Sequence, residues 1–290
     1  MTSPQDPHTG VYSHINGPLE DVVDRVLVSE ICKGWPVYRD NSEWKNFRSL
    51  FAPKATVWTT WSGACDVDKF IGISKAGKKN GVFILHRECG TLVELGAAVP
   101  VNAPGEECHR TLDVEGDVEP ASATTPDTPL GRPVTAGQFR SVRRAIGKMK
   151  ATITQRFVNA ENGTSFDIDC DCRFIFFLEK VVEVSPVAGT AAESTTAAAP
   201  IPRWRTVYVK LFYEKDKIVP VDGHSAPRFT AEERQYMQDS LPEGYRYLGT
   251  MQRRLGYAID EKLPTPRNAG WERMYSAMEA WLGGRKATLG

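Results

Sequence analysis

Two residues in the first third of the chain have side chains suited to moving a proton. His86 follows a short apolar run at 82–85, whereas His8, His14, His109 and His224 lie in arms or loops. An imidazole with an ordinary pKa near 6.5 shuttles protons at neutral pH. Asp40 lies in WPVYRDNSEW, an acid among aromatics at a break between two helices. It could orient the imidazole and stabilise its cation, or serve alone as a desolvated base. Tyr38 supplies a hydroxyl two residues earlier. The competing reading makes Asp40, with Asn41 and Ser42, a cap for the following helix and His86 a satisfied core residue. The residue types alone leave both readings open.

Asp167, Asp169, Asp171 and Arg173 alternate with Ile168, Cys170, Cys172 and Phe174, which puts the charged set on one face of a strand. That face could be a polar pocket wall or an oxygen-rich cation site. A solvated sheet face, with Arg173 relieving carboxylate repulsion, is favoured over both. Trp58, Trp61, Phe83 and Tyr208 are candidate pocket walls for a flat aromatic ligand, although large aromatics are more often core. The C-x-C at Cys170 and Cys172 lacks the turn spacing of a structural zinc site. Phosphate loops, G-x-S-x-G and H-E-x-x-H are absent from the sequence. No cofactor and no metal are therefore expected.

The elements that must position these residues follow from periodicity. Pro18 suits the first position of a helix, and Leu19, Val22, Val23, Val26 and Ile31 recur at helical spacing. The same pattern puts Glu20, Asp21, Asp24 and Arg25 on the solvent side. Gly34 and Pro36 are expected to end this helix. A second carries Trp44, Phe47, Leu50 and Phe51 and stops at Ala52-Pro53, before a strand over 56–61. A third helix runs to about Lys79, ahead of strands at 82–85 and 92–101, the latter broken by Gly96. Residues 139–149 form a basic stretch, read as a solvated loop. Strands resume at 151–158 and 164–178 about the hairpin dipeptide Asn162-Gly163, and again at 204–213. Thr230-x-x-Glu233 opens a helix with a capping box, and two more helices are expected over 251–259 and 271–282.

This order is α+β, with helices first, antiparallel strands next and a helical tail. A curved antiparallel sheet wrapped on the N-terminal helices would make a cone with an internal pocket. Residues 1–16 read as a flexible arm, 17–225 as the main domain and 226–290 as a helical extension. Insertions at 103–137 and 185–201 have too few large apolar side chains to offset their ordering entropy.

The 290 residues carry 36 basic and 36 acidic side chains, so no net field draws the chain to nucleic acid or an anionic membrane. No run approaches the ~18 apolar residues of a spanning helix, and the polar N-terminus lacks a signal pattern. A cytoplasmic protein with reduced thiols is expected. Its partner would be a hydrophobic or aromatic small molecule. Self-association through the sheet face or the C-terminal helix is a further expectation.

Asp40 with Trp44, then Phe47 and Phe51-Ala52-Pro53, then DVDKFIG at 66–72, His86, and LFYEKD at 211–216, together resemble a known family. The chain is similar to the SnoaL-like polyketide cyclases of the nuclear-transport-factor-like cone fold, and especially to fungal relatives of scytalone dehydratase. The resemblance spans 18–101 and 149–216. It implies a cofactor-independent dehydratase, isomerase or cyclase acting on an aromatic, polyketide or terpenoid intermediate of secondary metabolism. His86 would be the general acid and base, Asp40 its partner and Tyr38 an orienting hydroxyl. Three positions depart from that pattern: Arg39 stands where a tyrosine is expected, Thr59 replaces a second tyrosine, and a second histidine has no counterpart. The alternative is a non-catalytic module of the same fold that binds a small ligand or a protein.

Overall fold

A computed structural model describes residues 10–98, 112–114, 139–159, 162–183, 202–266 and 268–289. In chain order it contains α1 (Leu19–Asp40), α2 (Trp44–Ser49), β1 (Phe51–Thr59), β2 (Gly63–Asp66), α3 (Val67–Lys79) and β3 (Phe83–Leu95). Then come β4 (Leu112–Val114), β5 (Phe139–Val158), β6 (Ser165–Glu183) and β7 (Arg203–Pro220). The C-terminal part holds α4 (Ala231–Asp239), α5 (Arg246–Arg254), α6 (Ala269–Leu282) and β8 (Ala287–Leu289). The architecture is thus mixed α+β. Six strands form one open sheet in the order β2-β1-β7-β6-β5-β3, and β4 pairs with β8 in a second. Apart from Leu112–Val114, the insertion at 103–137 lies outside the described residues, as does all of 185–201. No helix among the described residues is long and apolar enough to cross a membrane.

The long hairpin of β5 and β6 is the spine of the sheet, turned at Gly163 with φ +69°. β6–β7, β3–β5 and β1–β2 are likewise antiparallel, but β1 and β7 run parallel, so the sheet is not wholly antiparallel as expected. Alternation gives the sheet two unlike faces. Cys170, Cys172, Phe174, Phe176, Val209, Leu211 and Tyr213 join the core under α1, α2 and α3. Ile146, Ile175, Phe177, Tyr208 and Phe212 form a second core beneath α6. Phe212 stacks on Trp271 at 4.8 Å and Phe177 meets Trp281 at 5.8 Å. The C-terminal helix and the sheet face, both expected to mediate self-association, therefore pack on each other within the chain.

Helix α1 corrects two expectations. It does not end at Gly34 and Pro36 but continues for 22 residues to Asp40. Gly34 serves a close approach instead, since a Cβ there would stand 2.8 Å from the Leu50 methyls. The helix also turns the opposite face inward. Asp21, Asp24, Val28, Cys32, Trp35 and Arg39 are buried, while Leu19, Val22, Val23 and Val26 are exposed. The cause is ionic. Arg143 donates to Asp21 at 2.7 Å and Asp24 at 3.1 Å, and Lys180 and the Trp204 indole reach Asp24 at 2.8 and 3.0 Å.

Arg143 lies on β5, so the basic stretch read as a solvated loop is the first half of a strand. The two strands expected around His86 are one continuous strand, bulged at Cys89. Ala52 and Pro53 sit inside β1 rather than ending a helix. Within 1–16, residues 1–9 lie outside the described residues. Ser13 pairs with Leu95 and donates to Asp21 at 2.6 Å.

The C-terminal extension is welded to the inner side of the sheet as well as to the outer. Thr230 and Glu233 complete the capping box of α4. Asp216, on β7, accepts from the Tyr247 and Leu248 amides at 2.6 and 2.8 Å, covering the positive end of α5. The turn before α5 presses Gly244 onto β7, where a Cβ would lie 2.1 Å from the Tyr213 carbonyl oxygen. Backbone cannot yield there as a side-chain tip can, so Gly244→Ala should cost about 1–3 kcal/mol of unfolding free energy. A urea titration would measure this, and an unchanged midpoint would contradict the packing.

Asp216 also predicts a pH dependence. Burial pushes its carboxyl up to about 7, against the two amide bonds and the Arg246 charge that favour ionisation. The folded chain therefore holds this proton more tightly than the unfolded chain, whose carboxyl has its ordinary value of 3.8. That stabilisation is complete below about pH 4 and is lost as pH rises through about 7. Urea midpoints between pH 5 and 8 should fall more steeply for the wild type than for Asp216→Asn, and parallel curves would refute the assignment.

Candidate functional site

Because α1 continues past Pro36, its last turn carries Asp40 to the first part of β3. There the Asp40 carboxylate is held twice by one residue. Oδ2 accepts from the His86 backbone amide at 2.6 Å, and Oδ1 lies 2.8 Å from His86 Nδ1. An ionised carboxylate can only accept, so Nδ1 carries the proton and Nε2 keeps its lone pair. Lys78 donates to the Asp40 carbonyl oxygen, and Arg39 Nη1 approaches Oδ1 at 3.4 Å. The imidazole is buried edge-on to Phe174, with ring centres 5.6 Å apart.

The electrostatics keep this pair as neutral imidazole and carboxylate. Burial drives the His86 pKa below its ordinary value. The Asp40 bond and charge pull it upward, but Arg39 and Lys78 oppose them, and the net direction is down. For Asp40, burial is the largest single influence and raises its pKa. The two bonds from His86 and the Arg39 charge outweigh it, so the carboxyl ends below its ordinary value.

His86 lines a cavity of about 20 Å³ with Trp35, Thr60, Trp61, Phe174 and Tyr213. A second cavity of about 20 Å³ shares Arg39, Trp61, Ile84 and Gln252 with the first and extends to Lys78 and Tyr257. Each has room for about one water molecule. Their polar walls come from distant parts of the chain. Thr60 Oγ1 donates to Gln252 Oε1 at 2.7 Å, Gln252 Nε2 donates to Gln155 Oε1 at 3.0 Å, and the Thr60 amide donates to the Tyr213 hydroxyl at 3.2 Å.

Of the residues expected in a site, His86, Asp40 and Trp61 come together here. Tyr38 is half-buried and lines neither cavity, and the position facing inward is its neighbour Arg39. Phe83 is 53% exposed on the edge strand β3. Trp58, Tyr208, Asp169, Asp171 and Arg173 belong to the other face of the sheet. Trp58 donates to Asp260 at 2.6 Å beneath the Lys210 ammonium, and Tyr208 packs in the second core. Asp169 and Asp171 accept from Thr154 and Thr152 at 2.6 and 2.7 Å, and Arg173 lies over the Trp271 ring at 4.2 Å. Alternation placed these residues on one face correctly but carried no sign of which face the cavity adjoins. Arg39, Gln155, Tyr213 and Gln252 are not among the expected site residues; Arg39 stands out in the sequence only as a departure from the resembled family, and Tyr213 only as part of the motif at 211–216.

No protein-family model matches the chain. A protein of Emericella nidulans named only as uncharacterized is 34% identical over 280 residues, covering 93% of this chain and 91% of its own. A PEP2-like protein of Fusarium vanettenii is 33% identical over 282 residues, or 94% and 92% of the two chains. Pea pathogenicity protein 2 of the same fungus is 32% identical over 249 residues, or 86% and 78%. Likeness at this level along nearly the whole length shows that the chain belongs to the family of pea pathogenicity protein 2 and the PEP2-like proteins.

Proposed function

We propose that the chain is a cofactor-independent enzyme of the dehydratase, isomerase or cyclase type, with His86 as the base and acid that handles the proton. The observation that supports this best is the buried Asp40–His86 pair beside a small cavity. Asp40 fixes the imidazole by two bonds and occupies Nδ1, so the proton is exchanged at Nε2. In the first half-reaction Nε2 removes a proton from a carbon acidified by a neighbouring carbonyl or ring. In the second, the imidazolium returns it to a departing hydroxyl, releasing water, or to another carbon, giving an isomer or a ring. Electrons and protons balance without a redox partner. The Asp40 charge stabilises the imidazolium formed between the two steps. Tyr213 and Thr60 are within the same cavity and could hold an oxygen of the ligand.

In this reading the sheet wraps the N-terminal helices as a cone, as in the SnoaL-like proteins that the sequence resembles, and α5 closes its mouth. The ligand would be an aromatic, polyketide or terpenoid intermediate. Since the two cavities have room for only about one water each, its entry requires the walls to move, and in this reading Gln252 of α5, common to both cavities, and Leu248, beside His86, move aside.

Deleting the gene in its host should cause an intermediate to accumulate that has the mass of the missing product, or that mass plus one water. The purified protein should convert it without added cofactor. His86→Ala should slow turnover roughly 10²–10⁴-fold, and Asp40→Asn should slow it by upsetting the Nδ1–H tautomer. Full activity in both variants would remove the pair from the mechanism. Because His86 titrates below its ordinary 6.5, kcat/KM should stay level as pH is lowered to that value and decline only beneath it. A rate that declines already above pH 7 would count against His86 as the base.

A further inference from the structure

Arg39 has no place in the proton chemistry just described, yet its guanidinium faces both cavities. The residue is 4% exposed. Its Nε is buried with no hydrogen-bond partner, and its Nη1 has only the 3.4 Å contact with Asp40, long for a charge-assisted bond. The Asp40 oxygens are already engaged at 2.6 and 2.8 Å by His86. A guanidinium binds a carboxylate best through two parallel N–H bonds, and the edge that includes Nε is left unspent. The remaining surroundings add little negative charge. Phe70 lies under the guanidinium at 5.9 Å, and the shared walls are Trp61, Ile84 and the uncharged Gln252. The second cation at the rim is Lys78. A buried ion without full hydrogen bonding is costly, and a ligand that completes its bonding recovers that cost on binding.

We propose that Arg39 is the anchoring residue of the cavity and that the ligand carries an anionic oxygen, a carboxylate or an acidic enol or phenol. This rests on the reading of the cavity as a ligand site and adds the class of ligand that the site selects. Arg39 is a binding residue, distinct from the His86 base.

The test uses matched small probes on the intact chain at pH 7, benzoate against benzamide and formate against formamide. Binding is followed by the His86 ring resonances in nitrogen-15 spectra, so that only occupancy of this cavity is read. At least one anion should bind roughly tenfold or more tightly than its neutral partner, and 4-nitrophenol should bind as its phenolate, with the yellow absorbance enhanced at pH 6, if enol or phenol oxygens are accepted. Arg39→Met should abolish the preference and His86→Asn should retain it, with binding then followed by calorimetry. Equal affinity within both pairs, no binding by any probe, or an unchanged preference in Arg39→Met would overturn the proposal. The wild-type comparison decides even if Arg39→Met fails to fold. Loss of the preference with a catalytically essential His86 leaves the proton chemistry standing, whereas a clear preference with a dispensable His86 removes the chemistry and keeps the anion site.

Discussion

Burying ions along α1 is the constraint on which the other arrangements depend. A lone charge inside a protein costs several kcal/mol, and removing one partner of a buried pair costs about 3–5 kcal/mol. Asp21 and Asp24 at one end must therefore meet Arg143, Lys180 and the Trp204 indole, which come from β5, β6 and β7. Asp40 at the other end must meet His86 on β3. Apolar packing tolerates sliding by a fraction of a turn, whereas these bonds do not. With both ends fixed, the intervening Val28, Cys32 and Trp35 are set against the sheet, and Trp35 becomes the hub of five aromatic contacts with Phe47, Phe51, Phe70, Phe174 and Phe176. The geometry of the Asp40–His86 pair thus follows from how the whole helix is held.

The same constraint explains what could be read from the sequence. Strands were legible where alternation and turn chemistry agree, as at the Asn162-Gly163 hairpin, and the helix at Thr230 was legible from its capping box. Both signals are local. The buried face of α1 was not, because hydrophobicity favoured Leu19, Val22, Val23 and Val26, and the ions that pull the other face inward come from strands more than a hundred residues away. Pro36 misled for a related reason. It removes one helix bond and costs about 3 kcal/mol in isolation, but the packing of Trp35 and the bonds of Asp40 outweigh that.

The candidate site was legible in its pair and in Trp61, and not in its other walls. His86 and Asp40 have side chains whose chemistry stands out at any distance, and 46 residues of separation do not obscure it. Gln155, Tyr213 and Gln252 are ordinary polar residues whose importance comes only from where β5, β7 and α5 converge. Trp58, Asp169, Asp171, Arg173 and Tyr208 were legible as a face. The helix α6, which covers part of that face, belongs to an extension that the resemblance does not reach, so the sequence offered no ground for assigning it.

That extension also supplies part of the cavity walls. Its α5 lines both cavities with Gln252 and the one at His86 with Leu248 as well, and the Gln252 amide is bonded at both ends, by Thr60 and Gln155. Moving it aside leaves two buried polar groups without partners, each at about 1–3 kcal/mol. A purely apolar ligand cannot restore those bonds, however well it fills the space. A ligand with oxygens at suitable points can, and an anionic oxygen would at the same time satisfy Arg39. If the cavities take a ligand as proposed, their polar groups would then weigh more than their volume in deciding which molecules fit beside α5.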